Sequence, residues 1–224
     1  MPGNGDDQRV HRLSRRAFIK GAGAAAAAAR LIGAAVPLPA VEVADNSSPN
    51  PDGAIAERLG PGAVTIELKV NGAARKITVE PRVTVLEVLR DHLGLYGTKL
   101  VCDRGACGAC TIHLDGHPVV ACMMLAVDAR GHEIVTIEGL GTPDRMHPVQ
   151  AAFVQADALQ CGFCTPGMVM SIAALLEDNP SPNIDEIKRA VAGNICRCGT
   201  YPHVFNAALA AAKSRGAKPK GGNA

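Results

Sequence analysis

The sequence predicts an α+β protein in which a β-rich half precedes an all-helical half. Three observations carry that prediction. Val64 to Val70 (VTIELKV) alternates apolar and polar residues and runs into Asn71-Gly72, the strongest short hairpin signal. From Pro148 onward, apolar residues recur at helical spacing behind Thr, Asn and Pro start signals. Eight cysteines fall into two groups of four, one group in each half, with none left over.

Taken in order, Arg75 to Val79 supplies the strand returning from the hairpin. Thr84 caps a helix over 85–93, Glu87 at the third helical position completes a capping box, and Gly94 ends the helix. Two strands at 109–114 and 119–121 join through DGHP, and a last strand covers about 134–138. Hairpin, helix, cysteine loop and hairpin together define a β-grasp ferredoxin-like domain over residues 62–140. In the second half, 148–158 is a helix. Thr165 as N-cap, with Pro166 at the first helical position, opens another to Glu177. Asn183 with Glu186 makes a second capping box for a helix to about Ala192, and Tyr201 to Ser214 forms a fourth. Four short helices with brief connections predict an all-α four-helix bundle over residues 141–215.

A chain of 224 residues has room for one or two domains, and a 47% hydrophobic content built mainly from Ala, Val, Leu and Ile suffices for a core. The net charge of +2 conceals an asymmetry. Residues 1–40 hold six basic side chains against Asp6 and Asp7, while the remainder holds 17 basic and 19 acidic ones. A nearly neutral body with scattered charge excludes a nucleic-acid or membrane-surface footprint.

Residues 1–40 read as an export address. A basic stretch, Arg12 to Lys20, precedes a weakly apolar Ala/Gly/Leu stretch, Gly21 to Ala40, with Ala40 the best cleavage position. Arg30 inside an Ala-rich run argues against a membrane-spanning helix, which needs about 20 strongly apolar residues. Ser14-Arg15-Arg16, followed by Phe18-Ile19-Lys20, resembles a twin-arginine signal, whose route carries proteins already folded and places this chain in the periplasm. Residues 41–61, rich in Pro, Asn, Ser and Gly, read as a linker, and 216–224 as a flexible tail.

The first quartet, Cys102, Cys107, Cys110 and Cys122, has the spacing C-x4-C-x2-C-x11-C. A C-x4-C-x2-C loop with a distant fourth cysteine is the plant-type arrangement for a 2Fe–2S cluster. Gly105, Ala106, Gly108 and Ala109 leave room for the backbone to wrap the inorganic core and aim N–H groups at sulfur. Zinc is the metal alternative, but three cysteines crowded in a Gly/Ala loop is poor zinc spacing. The second quartet, Cys161, Cys164, Cys196 and Cys198, reads C-x2-C-x31-C-x-C and sits at two helix ends, so that the four thiols can meet. On spacing alone, zinc or two disulfides remain credible there.

The two quartets in this order, as CDRGACGAC and QCGFCTPGM followed by NICRCGTY, resemble the iron–sulfur (small) subunit of the xanthine dehydrogenase or molybdenum hydroxylase family. With the export signal, the chain is most similar to the 2Fe–2S subunit of a periplasmic aldehyde oxidoreductase. The resemblance covers about residues 62–215. It implies one 2Fe–2S cluster per domain, and a large partner subunit holding a molybdopterin cofactor as its cytosine dinucleotide. It also implies an FAD-binding medium subunit, or a cytochrome, that completes a heterotrimer and takes the electrons onward. It assigns the second quartet to the cluster nearest molybdenum and the first to the cluster towards the flavin. Gln160 matches a glutamine that contacts the pterin, and Cys198 matches the ligand beside the pterin amino group. Many members read Cys-Thr-Gly-Tyr where this chain has Cys198-Gly199-Thr200-Tyr201, an exchange that alters a turn and leaves the ligands intact. No residue of this chain is expected to act on substrate. It would pass electrons released by aldehyde oxidation, or by N-heterocycle hydroxylation of the isoquinoline type, to the next carrier. A free-standing two-cluster ferredoxin is the competing function, and a disulfide-stapled binding protein is a third.

Eight cysteines fill two four-ligand sites, so His113, His117, His132, His147 and His203 are assigned to packing or surface. Arg104 and Arg197 are as readily solvated loop residues as partners for cluster charge. Met123 and Met124 are assigned to packing.

Overall fold

A computed structural model describes residues 59–216, which belong to one compact unit. The expected signal, most of the linker and nearly all of the tail lie outside the described residues. Strand β1 (Val64–Val70) buries alternate residues, including Ile66, Leu68 and Val70, and pairs antiparallel with β2 (Ala73–Val79). The register Val70↔Ala73 leaves Asn71 and Gly72 as a two-residue turn, and their φ values of 51° and 77° are those a tight hairpin requires. The side chain of Asn71 then reaches across the sheet. Its Oδ1 accepts from Thr136 N–H at 2.9 Å and its Nδ2 donates to Thr136 Oγ1 at 3.0 Å.

That contact corrects one expectation. The last strand, β5 (Glu133–Val135), stops before the buried Thr136, and the residues expected to extend it form a short helix, Ile137–Leu140. Once Asn71 occupies the Thr136 N–H, that group is not free for a ladder bond. The five strands form a mixed sheet in the order β2-β1-β5-β3-β4, with β1 and β5 parallel. Strand β3 (Thr111–Leu114) starts two residues later than expected, and β4 (His117–Val120) is shifted because the turn is Asp115-Gly116 alone. Pro118 thus falls in an edge strand, where its missing N–H costs no ladder bond.

The helix expected over 85–93 begins as α1 (Val85–Glu87) with the Thr84/Glu87 capping box formed. It continues over Val88–His92 as a wider π turn closed by Leu93 N–H on Val88 O at 3.1 Å. Arg90 leaves this turn to donate to Thr98 O at 2.8 Å and Tyr96 O at 3.3 Å, anchoring the approach to the first cysteine loop. Val85, Leu86, Val88 and Leu89 join Ile66, Leu68, Ile112 and Ile134 in one core.

Counting Ile137–Leu140 as α2, the second half comprises α3 (Pro148–Gln155), α4 (Thr165–Asp178), α5 (Ile184–Ala190) and α6 (Tyr201–Gly216). Helix α4 buries residues on every side, from Gly167 through Ala174, because it faces β3 as well as α3, α5 and α6. Met168, Ile172 and Leu176 pack with Val149, Phe153, Ile187 and Val204 in a second core. Thr165 is not the N-cap of α4. Cys164 holds that position without a side-chain bond, and Thr165 Oγ1 is buried with no hydrogen-bond partner. The Asn183/Glu186 box on α5 forms as expected. Among the described residues no helix is long and apolar enough to cross a membrane.

Helix α3 starts on an unforeseen cap. His147 Nδ1 accepts from Val149 N–H at 3.3 Å, while Gln150 Oε1 accepts from His147 N–H at 2.9 Å. Burial and the nearby Arg215 cation, with a smaller push from His113, lower the His147 pKa below 6.5, and Glu177 opposes them. Protonation would abolish the acceptor at Nδ1. The folded chain therefore binds fewer protons than the unfolded one as pH falls below about 6.5, and stability falls with it until the folded value is passed. His147→Asn keeps a capping oxygen without the titration. The Tm advantage of wild type over this variant is expected to shrink between pH 7.5 and pH 5 in thermal melts. A difference independent of pH would refute this role.

Candidate metal centres

The first cysteine loop hangs between the π turn and β3. Cys102 and Cys107 lie within thiol–thiol hydrogen-bonding reach, as do Cys110 and Cys122, with Cys107 adjoining Cys110. The four sulfurs thus form two adjacent pairs. The Arg104 N–H, with the Cys107 thiol and the Ala106 and Cys107 N–H groups, draws the Cys102 thiol down to about 7. Gly105 N–H donates to Cys122 Sγ at 3.3 Å. Burial pushes the Cys110 thiol up to about 12, and the neighbouring Cys122 and Cys107 thiols add to it.

The second quartet comes from two helix ends. Cys161 and Cys164 lead into α4, and Cys196 and Cys198 occupy the loop between α5 and α6. Cys164 pairs with Cys196, and Cys161 with Cys198. Burial pushes Cys164 up to about 12, with the Cys196 thiol contributing. Burial acts on Cys196 in the same sense. There the Thr200 hydroxyl and N–H, the Cys164 thiol and the Cys198 N–H outweigh it and bring the thiol to about 7. The Cys161 N–H lowers Cys198, but the Cys161 thiol and burial leave it raised.

No disulfide joins any of the eight cysteines. Among the described residues, no three or more His, Cys, Asp or Glu side chains converge on the point one metal ion would occupy. The donor set suits a two-iron core better, since such a core takes a pair of thiolates at each iron. Thiols forced to about 12 by burial also favour that fit, because a cationic iron offsets the cost of a buried thiolate.

The two quartets are fastened together. Ile195 N–H donates to Cys107 O at 2.9 Å, joining a first-quartet cysteine to the neighbour of Cys196 through one hydrogen bond. Asn194, 4% exposed, donates from Nδ2 to Gly108 O at 2.9 Å and to Thr111 Oγ1 at 3.4 Å, and its Oδ1 accepts from Ser171 Oγ on α4 at 2.8 Å. A cleft of about 110 Å³ between the quartets is lined by Cys107, Cys161, Cys164, Phe163 and Ile195, among others. Two larger clefts among the described residues, one beside Arg75 and His92 and one beside Arg82 and His92, are lined by no cysteine.

Gln160 and Cys161 are exposed, and Cys198 is half-buried. Two of the described histidines are held by backbone carbonyls. His113 is buried with Nε2 against Met170 O at 2.8 Å, and His203 Nδ1 meets Ala156 O at 2.9 Å. Met123 packs over Gly105. Sequence reasoning missed Asn194 and Thr200. Their only signal was position, as small polar residues flanking the last two cysteines.

This fold and these paired thiols define a protein with two 2Fe–2S binding domains, and comparison with known proteins agrees. Residues 68–132 match the 2Fe-2S iron-sulfur cluster binding domain family, and residues 136–209 match the family described as 2Fe-2S binding domain. The chain is 44% identical over 162 residues to the aldehyde oxidoreductase iron-sulfur-binding subunit PaoA of Escherichia coli (strain K12), spanning 66% of this chain and 71% of the relative. It is 45% identical over 138 residues to the nicotinate dehydrogenase small FeS subunit of Eubacterium barkeri, spanning 62% and 88%. Among solved structures, a chain of quinoline 2-oxidoreductase from Pseudomonas putida 86 is 41% identical with a TM-score of 0.65, over 68% of this chain and 95% of that one. The aldehyde oxidoreductase from Desulfovibrio desulfuricans ATCC 27774 is 43% identical with a TM-score of 0.66, over 69% of this chain and 18% of that one. The chain belongs to the iron–sulfur subunits of the molybdenum hydroxylases.

Gly108 holds φ at 67°, and a Cβ there would stand 2.5 Å from Gly193 O. Left-handed backbone alone costs an alanine roughly 1–2 kcal/mol, and the clash adds to it. Gly108→Ala is therefore expected to lower the urea midpoint by more than Gly116→Ala, whose Cβ would meet open space at a similar φ. Equal losses would refute the close-approach argument.

Proposed function

We propose that this chain is the electron-transfer subunit of an exported aldehyde oxidoreductase whose molybdopterin cofactor, as the cytosine dinucleotide, sits in a large partner subunit. The observation that carries the reading is the arrangement of two paired quartets joined by one backbone hydrogen bond. In this reading Cys102 and Cys107, with Cys110 and Cys122, hold one 2Fe–2S cluster, and Cys161 and Cys198, with Cys164 and Cys196, hold the other. Bound there, the clusters would supply one-electron acceptance and release. The chain's own residues bury Cys110, Cys122, Cys164 and Cys196 away from water, aim N–H groups at sulfur, and hold the two loops in contact.

Gln160 and Cys198 form the edge offered to the large subunit and its pterin, which the exposure of Gln160 and the half-burial of Cys198 permit. The first quartet faces the onward carrier, an FAD subunit or a cytochrome, completing a heterotrimer. The domain limits are 62–140 for a β-grasp ferredoxin-like domain and 141–215 for a four-helix bundle. Residues 1–40 are the twin-arginine signal for the periplasm, 41–61 the linker and 216–224 the tail. The aldehyde substrate rests on the 44% identity to PaoA. N-heterocycle hydroxylation is the second reading, favoured by the chain's match to 95% of the quinoline 2-oxidoreductase chain.

Anaerobic purification of the tagged chain from its source is the deciding experiment. The expected product carries about four iron and four sulfide per chain, two clusters' worth, with a large partner containing molybdenum and pterin. A monomer free of molybdenum would sink the proposal, and turnover of aldehydes against N-heterocycles separates the two substrate readings. In EPR of the reduced complex, Cys110→Ser and Cys164→Ser are each expected to remove one of two signals. Loss of both signals from either variant, with the protein still folded, would contradict one cluster per domain. Replacing Arg15 and Arg16 together by Lys should leave the protein in the cytoplasm, and unchanged periplasmic recovery would reject the export route.

A further inference from the structure

The sulfur of Cys196 has a neighbour that no cysteine motif requires. Thr200 is 3% exposed, and its Oγ1 lies 3.2 Å from Cys196 Sγ. Its C=O accepts from Val204 N–H at 3.1 Å, which ties the residue to the first turn of α6. Gly199 takes φ at 78°, turning the chain back so that the hydroxyl of Thr200 meets the sulfur. The order Gly199-Thr200 matters here, because the reverse would put a β-branched residue on left-handed backbone and leave no hydroxyl at position 200. Tyr201 fixes the same loop from the other side, its OH accepting from Cys196 N–H at 2.9 Å and donating to Asn194 O at 3.2 Å.

We infer that Thr200 is a positioning residue that tunes the second iron–sulfur site, its hydroxyl donating to the Cys196 thiolate and raising the reduction potential of the cluster held there. The inference rests on reading Cys161, Cys164, Cys196 and Cys198 as cluster ligands. A ligand thiolate has no proton to give, so the hydroxyl is the donor in this pair. A hydrogen bond to ligand sulfur withdraws electron density and favours the reduced, more negative cluster. Cys196 Sγ thus has one fixed hydroxyl within 3.2 Å, carried by a buried residue that is itself tied to α6.

The test is an EPR-monitored redox titration of the purified complex carrying Thr200→Val, Thr200→Ala or Thr200→Ser. Valine removes the hydroxyl at nearly constant shape, and alanine removes it without adding a methyl group. Both variants should move the second-site potential in the negative direction and leave the first-site potential in place, while serine keeps the wild-type value. An unmoved second-site potential in Val and Ala overturns the inference, as does an equal shift at both sites or a serine variant that behaves like alanine. A wild-type complex lacking the second EPR signal would instead overturn the ligand reading itself, and the inference with it.

Discussion

Two peptide loops, around Gly108 and Gly193, approach so closely that a Cβ on Gly108 would stand 2.5 Å from Gly193 O, and the Asn194 side-chain amide and the Ile195–Cys107 hydrogen bond hold them there. Gly108 turns the first cysteine loop so that its carbonyl faces α4, at a point where a Cβ on Gly167 would stand 2.2 Å away. Asn194 fills the remaining gap and satisfies that carbonyl, together with Thr111 and Ser171. An unpaired buried amide or carbonyl costs about 1–3 kcal/mol, so the contact holds only in the one register in which every partner is met. The β core and the helical core contain separate sets of residues. This polar lock therefore sets their mutual position more sharply than apolar packing would.

That lock also explains why the thiol quartets can differ in origin and still cooperate. One is a loop wrapped by its own backbone, and the other is built from two helix ends whose cysteines, Cys164 and Cys196, have 31 residues between them. Neither arrangement determines where the other lies. Asn194 precedes Ile195, whose N–H meets Cys107 O, and Ile195 precedes Cys196. Three consecutive residues thus combine an anchor, a bridge and a ligand candidate.

Much of this was legible in the sequence where the determinant was local. The Asn71-Gly72 turn, the Thr84/Glu87 and Asn183/Glu186 boxes and the grouping of cysteines each depend on residues a few positions apart. What was not legible depends on contacts across long separations. Asn71 ending β5 spans 65 residues, and the Asn194 contact to Gly108 spans 86. Thr165 shows the opposite failure. A good capping residue beside proline was overruled because Cys164, held against Cys196, already occupies the turn where the cap would sit. His147 took a capping role through its ring nitrogen, a use that residue-type preferences for caps do not favour.

The sheet order has a temporal consequence. Strand β5 lies between β1 and β3 yet is the last of the five in the chain. The two hairpins, β1–β2 and β3–β4, cannot be joined until residues 133–135 have left the ribosome, and such long-range parallel pairing forms slowly. By then Cys102, Cys107, Cys110 and Cys122 have all been synthesised. The topology therefore leaves an interval during translation when four thiols are present and the wall behind them is still open, and the closing strand ends it.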